Sequence, residues 1–224
     1  MGEGLHGFET AAGRRRFYLE SGLRKRPIGA GSDLDMLMQL ERTRLFVTVD
    51  NLLGDIPAAV VGGVATRAYS PERVTQDLDV LVDHARYPEA ARRLETLGWR
   101  RLRELTFPNT MLGLYGSAWS KDANMLDLMA TEQPWAEEAL AEEAFDQTGL
   151  RIVALPYLVL MKLDSARGID QGDLTRMLGR ATPSDIERTV RVVERHHGDP
   201  HAADDVLQYA TLGALEYERP ERRD

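Results

Sequence analysis

The sequence has 224 residues, of which 43% are hydrophobic and 29% charged, and a net charge of -8. These values are typical of a globular protein with a sizeable core, and the acidity argues against a surface that binds nucleic acid throughout. The absence of cysteine excludes disulfides, zinc–thiolate centres and a cysteine nucleophile. No apolar run is long enough to cross a bilayer and no signal-peptide pattern is present, so we expect a cytoplasmic protein without a membrane partner.

Charge is distributed unevenly along the chain. Basic residues are concentrated in residues 14–26 and 92–103, and acidic residues in 132–146. One interpretation is that all three stretches are solvated surface. The alternative is that the basic stretches follow a phosphate backbone beside an acidic catalytic centre.

Helical and strand patterns alternate over the first 150 residues. Residues 33–53 have apolar side chains at helical spacing and are followed by Gly54, which predicts an amphipathic helix after a basic segment. Strands are predicted at residues 56–61, 76–82, 99–105, 111–115 and 124–129, and helices at 64–69, 88–97 and 134–145.

The last third of the chain has helical patterns alone. Helices are predicted at residues 156–167, 172–178, 183–196 and 202–217, with turns at 168–170, 179–182 and 198–200. The sequence therefore predicts an α/β protein, with a mixed β-sheet flanked by helices. We expect an N-terminal segment and helix in residues 1–54, an α/β core in 55–150, and a helical bundle packed on it in 151–224.

Two carboxylates lie two residues apart on one predicted strand. Because successive side chains of a strand alternate between faces, Asp77 and Asp79 share a face, with Cβ atoms about 7 Å apart. Leu78, Val80 and Val82 then point into the core. Carboxylates on one face repel each other, and a hard divalent cation, Mg²⁺ or Mn²⁺, resolves that repulsion.

A third carboxylate, Asp127, lies in an apolar predicted strand, where an unpaired acid is out of place. If that strand is next to the strand of Asp79, the three acids form a cluster that can hold two metal ions for displacement at phosphorus. Asp127 is also a candidate general base.

Gly62 and Gly63 lie between a predicted strand and a predicted helix. Free backbone N–H groups and the helix dipole favour an anion at such a junction, and glycine allows close approach. A Gly-Gly pair is more often only a turn. Its combination with Asp77 and Asp79 at the next strand favours a phosphate-binding role.

The run GGVATRAYSPERVTQDLDVLV, residues 62–82, resembles the signature of the DNA polymerase β-like nucleotidyltransferase superfamily. Within it, the R-x-T-x-D-x-D pattern of residues 73–79 and a later Lys…Arg…Asp pattern are similar to the AbiEii-like group of toxin–antitoxin and abortive-infection systems. The resemblance covers roughly residues 58–178. It implies the nucleotidyltransferase fold, with an NTP as substrate and Mg²⁺ or Mn²⁺ as cofactor.

The resemblance also implies roles for individual residues. Asp77, Asp79 and Asp127 are implied as metal ligands and catalytic acids. Nucleotide contacts are implied for Gly62, Gly63, Arg73, Thr75 and Lys162. Supporting roles, orienting Lys162 or its helix, are implied for Arg167, Asp170 and Asp173.

The function expected from these features is transfer of NMP from an NTP, such as ATP, to an acceptor hydroxyl with release of pyrophosphate. By resemblance to the toxin group, the acceptor is the 3′ end of a tRNA held by the basic stretches, and a cognate antitoxin is a partner. A small molecule or a protein side chain is the other acceptor class. The alternative function is a non-catalytic regulator or partner-binding protein that retains the fold.

Overall fold

The computed structural model describes Arg15 and residues 52–70, 77–122 and 124–217. Most of the predicted helix at 33–53 and both Arg73 and Thr75 lie outside the described residues. Leu52 and Leu53 are helical, and Gly54 follows with a φ of +63°. The chain divides into two compact units. We call residues 52–108 and 112–154 the sheet unit, and Arg15 with residues 109–111 and 155–217 the helical unit.

Five strands form one mixed sheet in the sheet unit. They are β1 (Ala58–Val61), β2 (Asp77–Val82), β3 (Arg100–Thr106), β4 (Tyr115–Lys121) and β5 (Asn124–Ala130). The order across the sheet is β1-β2-β5-β4-β3. The β2–β5 pair is parallel, and the other neighbours are antiparallel.

Helices account for most of the remaining described residues. The sheet unit contains α1 (Gly62–Tyr69), α2 (Tyr87–Thr96) and α3 (Pro134–Ala141). The helical unit contains α4 (Leu155–Ser165), α5 (Gly168–Arg180), α6 (Pro183–His196) and α7 (Ala202–Tyr217). The prediction of an α/β protein with a mixed sheet and a helical C-terminal region is therefore confirmed. The three-part domain division stays a prediction.

One predicted strand is wrong. Residues 111–114 form no strand, and β4 begins at Tyr115. Gly113 has a φ of +59°, and the Leu112 carbonyl accepts a hydrogen bond from Thr131 Oγ1 at 2.9 Å, outside any ladder. The true strand was missed because Gly116 breaks its apolar pattern. A Cβ at Gly116 would lie 2.2 Å from the Leu128 carbonyl oxygen, so the close approach of β4 to β5 requires glycine.

Two helix boundaries differ most from the prediction. Helix α3 ends at Ala141 rather than at 145, because Phe145 forms a β-bridge with Arg151. The turn predicted at residues 168–170 is instead the first turn of α5. The preceding helix, α4, ends just before it, and Ala166 between the two helices has a φ of +46°.

Close backbone packing joins α5 to α7. A Cβ at Gly213 would lie 1.9 Å from the Thr175 carbonyl oxygen, and one at Gly179 would lie 2.4 Å from the Gly213 carbonyl carbon. Both glycines therefore allow the two helix backbones to touch. No helix in residues 52–70, 77–122 or 124–217 is long and apolar enough to cross a membrane.

Candidate active site

The acids of β2 lie at the start of that strand. Leu78, Val80 and Val82 are buried, whereas Asp79 is half-buried and Asp77 exposed. The alternation places both carboxylates on the face opposite the three apolar side chains, as the period of the strand predicts. Packing of the apolar side chains fixes the register, since a slip by one residue would bury both acids.

Asp127 lies directly opposite Asp79, because β5 is the parallel neighbour of β2. Directly paired residues of a sheet share a face, so this pairing defines a row across all five strands. From one edge to the other, the row is Val61, Asp79, Asp127, Ala118 and Arg103. The predicted acidic cluster requires β2 and β5 to be adjacent, and they are neighbours in the sheet.

The backbone of Gly62 lies against the Asp79 carboxylate. It has a φ of +61°, and a Cβ placed there would lie 1.8 Å from Asp79 Oδ2. Any other residue would collide with the carboxylate and strain the backbone. Gly62 and the buried Gly63 form the start of α1, and Val61, just before them, pairs with Asp79. The glycine pair and the first carboxylate are thus parts of one local arrangement.

The Asp127 carboxylate is half-buried in this row. Burial raises its pKa most, the Arg103 guanidinium lowers it, and the charge of Asp77 raises it, so that the net pKa lies above the ordinary value. The effect of Asp77 indicates that these two carboxylates are close enough to repel. A group whose charged form is disfavoured in this way accepts either a proton or a cation.

The donor chemistry of the three aspartates fits a hard divalent cation. Carboxylate oxygens are the ligands that Mg²⁺ and Mn²⁺ prefer, and the raised pKa of Asp127 shows that its charged form is disfavoured, chiefly by burial. Within the described ranges, however, no three acidic or histidine side chains already have their ligand atoms grouped around one point. The assignment of Asp77, Asp79 and Asp127 as metal ligands stays a prediction.

Lys162 lies in the helical unit, where its side chain is buried. Its Nζ donates hydrogen bonds to Asp170 Oδ1 at 2.9 Å and to Asp173 Oδ2 at 2.7 Å. All three side chains are at most 5% exposed. The start of α5 at Gly168 makes this possible, because it places residues 170 and 173 one turn apart on one helix face.

The remaining predicted supporting residue, Arg167, belongs to the same group. Its Nε donates to Asp170 Oδ2 at 2.7 Å, although its own side chain is 70% exposed. Burial raises the pKa of Asp170, but the Lys162 ammonium and the Arg167 guanidinium together lower it below its ordinary value. The nucleotide contact of Lys162 stays a prediction, and its ammonium is held by the two carboxylates.

Arg15 contradicts the idea that the basic stretch at 14–26 binds RNA throughout. Its side chain is fully buried in the helical unit. Its Nη2 and Nε donate to Asp199 and Asp205 at 3.0 Å, and Nη1 donates to the Leu163 carbonyl oxygen at 2.5 Å. A guanidinium with these partners is a structural anchor and is unavailable to a phosphate backbone.

A cavity of about 440 Å³ lies elsewhere in the sheet unit. Its lining includes Asp83, His84, Thr131 and Glu132, beyond the carboxyl ends of β2 and β5. Asp77 and Asp79 are at the opposite end of β2. None of the predicted site residues lines this cavity, so we assign the site from the row of carboxylates and not from the cavity.

Arg103 is not among the site residues predicted from the sequence. It appeared only as one member of a basic stretch. Its place in the row of Asp79 and Asp127 depends on strand pairings distant in sequence and on an irregularity in β3. The sole signal was a cluster of arginines in a predicted strand, where charged residues are uncommon.

No protein-family model matches this chain, and no curated protein sequence matches it. Among solved structures, the chain is similar to the solution structure of the antibiotic-resistance factor ANT(2'')-Ia. The identity is 17% and the TM-score 0.39, over 82% of this chain and 90% of that chain. It is also similar to the crystal structure of ANT(2")-Ia in complex with adenylyl-2"-tobramycin, at 17% identity and a TM-score of 0.37, over 71% and 88% of the two chains. With TM-scores this low, no residue role is transferred from these structures.

Proposed function

We propose that this protein is a metal-dependent nucleotidyltransferase, which moves NMP from an NTP to an acceptor hydroxyl and releases pyrophosphate. The pairing of Asp79 with Asp127, with the Gly62 backbone against Asp79, is the observation that supports this most. Like charges brought together on one sheet face cost stability, and such clusters are typical of functional sites.

Asp77, Asp79 and Asp127 would hold the divalent ion. Bound there, Mg²⁺ or Mn²⁺ would neutralise charge on the triphosphate and lower the pKa of the acceptor hydroxyl. The three carboxylates supply the oxygen ligands that these ions prefer. Burial, and after it the charge of Asp77, disfavours the charged form of Asp127 and raises its pKa, and a bound cation would favour that charged form.

The residues of the site would then have separate roles in phosphoryl transfer. The acceptor oxygen forms a bond to the α-phosphorus while the bond from that phosphorus to the pyrophosphate oxygen breaks. Asp127 takes the proton of the hydroxyl as the general base. Backbone N–H groups of Gly62 and Gly63 bind phosphate at the start of α1.

Six further residues have proposed roles that rest on the family resemblance. Arg73 and Thr75 steady the loop before β2 or the nucleotide. Lys162 contacts the triphosphate, and Asp170 and Asp173, which accept hydrogen bonds from its ammonium, orient it. Arg167 supports Asp170 through their hydrogen bond.

The finer assignment is a toxin of a toxin–antitoxin system, acting on the 3′ end of tRNA and held in check by an antitoxin. It rests on the resemblance of residues 73–79 and 162–173 to the AbiEii-like group. Label transferred from an NTP to the 3′ end of purified tRNA would support it. Transfer only to a small molecule or to a protein hydroxyl would overturn the tRNA assignment.

The second candidate function is a non-catalytic regulator that retains the fold. A regulator has no use for converging carboxylates, which is why we favour the enzyme. Incubation with each labelled NTP, Mg²⁺ or Mn²⁺, and total tRNA or cell extract separates the two. The enzyme predicts label incorporation in at least one combination. No incorporation, together with no NTP-dependent thermal shift, would favour the regulator.

A further inference from the structure

The arginines of β3 do not all lie on the same face of the sheet. Arg101 pairs with Trp119, whereas Arg103 pairs with Ala118, the neighbouring residue of β4, so the register shifts between them. Leu102 is the extra residue of this bulge. In a regular strand, residues 101 and 103 would share a face, but here they lie on opposite faces.

The bulge places Arg103 on the face of the carboxylates. Arg103, Ala118 and Asp127 are paired in succession across β3, β4 and β5. Two strand spacings separate the Cα atoms of Arg103 and Asp127, about 10 Å. The residue between them, Ala118, has only a methyl group. β-Bulges are common next to active sites, where they redirect a side chain, and this one redirects the arginine in register with the acids.

Arg101 and Arg103 also differ in their partners. Arg101 forms an ion pair with Glu104 at 2.6 Å and lies 5.9 Å from the centre of the Trp119 ring. Arg103 is exposed and forms no ion pair with a residue that the structure describes, although its charge lowers the pKa of Asp127. Of the two, Arg103 has the guanidinium that is available to a ligand.

A second row repeats the arrangement one step along the sheet. Arg100 pairs with Ser120, Ser120 with Met125, and Met125 with Asp77. Arg100 is exposed and, like Arg103, lies on the carboxylate face. Each row therefore has a carboxylate on β2 and an arginine on β3. The small side chains of Ala118 and Ser120 line the strand next to the arginines.

We propose that Arg103, assisted by Arg100, binds a phosphate of the acceptor, so that the acceptor is a phosphate-bearing molecule. This inference rests on the proposed nucleotidyl transfer. Gly62 lies on the β1 side of the carboxylates and takes the triphosphate, which leaves the β3 side for the acceptor. A guanidinium binds phosphate through two parallel hydrogen bonds, and two arginines there repel a cationic acceptor.

The test compares acceptors that differ only in phosphate: a nucleoside, its 5′-monophosphate, and a short oligoribonucleotide with a free 3′ hydroxyl. The wild-type protein is expected to prefer the phosphate-bearing acceptors. Arg103→Gln should lower their kcat/KM by about 10- to 100-fold, the loss of one charge-assisted contact, with KM for the NTP unchanged. Arg103→Lys should recover part of the loss, since lysine keeps the positive charge but lacks the two parallel N–H donors of the guanidinium. Arg101→Gln, on the opposite face of the same strand, is the matched control and should change nothing.

Preference for the oligoribonucleotide would identify a polymer as the source of the phosphate. Preference for the monophosphate would identify a small molecule. Equal loss for the unphosphorylated nucleoside, or a raised KM for the NTP in Arg103→Gln, would overturn the inference and leave nucleotidyl transfer standing. If the wild type transfers to no acceptor, the proposed function fails instead. Equilibrium binding of the oligoribonucleotide and the monophosphate then tests Arg103 alone, and an unchanged Kd in Arg103→Gln overturns its role.

Discussion

Asp79 and Asp127 are directly paired across the parallel strands β2 and β5. They come from segments 48 residues apart in sequence, yet the ladder of the sheet fixes them side by side on one face. The apolar residues that alternate with them are buried, which holds both strands in this register. The pair is therefore a consequence of the sheet's core, and the chemistry of the site depends on that packing.

Gly62→Ala should both destabilise the protein and displace the Asp79 carboxylate. The new Cβ would lie 1.8 Å from Asp79 Oδ2, and the φ of +61° adds strain of about 1–2 kcal/mol. Gly149→Ala is the matched control, because Gly149 has a φ of +83° with nothing within 4 Å of its Cβ position. Urea denaturation should show a clearly larger loss for Gly62→Ala. Equal losses would mean that Asp79 imposes no constraint on Gly62.

The raised pKa of Asp127 predicts a pH dependence of stability. Because this pKa is above that of the unfolded chain, the folded state retains the proton to higher pH. Stability therefore falls as pH rises from the pKa of the unfolded chain to that of the folded chain. Asp127→Asn removes this titration. Asp127→Asn should therefore have a larger free energy of unfolding than wild type at neutral pH, and this difference should shrink in acid. An advantage that grew in acid would indicate a lowered pKa.

Lys162→Met should destabilise the helical unit strongly. It would leave the Asp170 and Asp173 carboxylates buried without their shared cation, which typically costs roughly 3–5 kcal/mol. Arg191→Met is the control, because Arg191 forms an exposed pair with Glu187, worth under about 1 kcal/mol. Thermal and urea unfolding measure both. A loss for Lys162→Met no greater than that for Arg191→Met would contradict a buried ion pair.

His197 should make the helical unit sensitive to acid. Burial and the charge of Arg15 lower its pKa from 6.5 to about 4, although Asp199 acts in the opposite sense. The unfolded chain then binds a proton that the folded chain does not, so stability falls as pH drops from 6.5 towards 4, by roughly 3 kcal/mol. His197→Asn should flatten this slope while the exposed His201→Asn retains it. An unchanged slope in His197→Asn would show that other groups cause the acid sensitivity.

The local part of the site could be predicted from the sequence because its signals are short-range. Alternation of Asp77 and Asp79 with Leu78, Val80 and Val82 determines which face the acids share. The glycine pair between a strand and a helix likewise has a local signature. Asp127 was recognisable because a lone acid in an apolar strand is unusual.

The rest of the site depends on contacts that no local pattern reports. The bulge at Leu102 shifts β3 by one residue and moves Arg103 to the carboxylate face, and the sequence there shows only a run of charged residues. Strand β4 was misplaced because Gly116 serves a close backbone contact. The glycine at 168 predicts a turn, although Gly168 begins the helix that carries the partners of Lys162.

The most direct test of nucleotidyl transfer is pyrophosphate release measured together with label transfer from the NTP, for wild type, Asp79→Asn, Asp127→Asn and Glu95→Gln. Glu95 is an exposed acid on α2 that is not part of the row, and it serves as the matched control. We predict one pyrophosphate released for each nucleotide transferred by wild type and Glu95→Gln, and a loss of at least about 100-fold in each aspartate variant that remains folded. Full activity in Asp79→Asn and Asp127→Asn would contradict the assignment of the paired carboxylates as the active site.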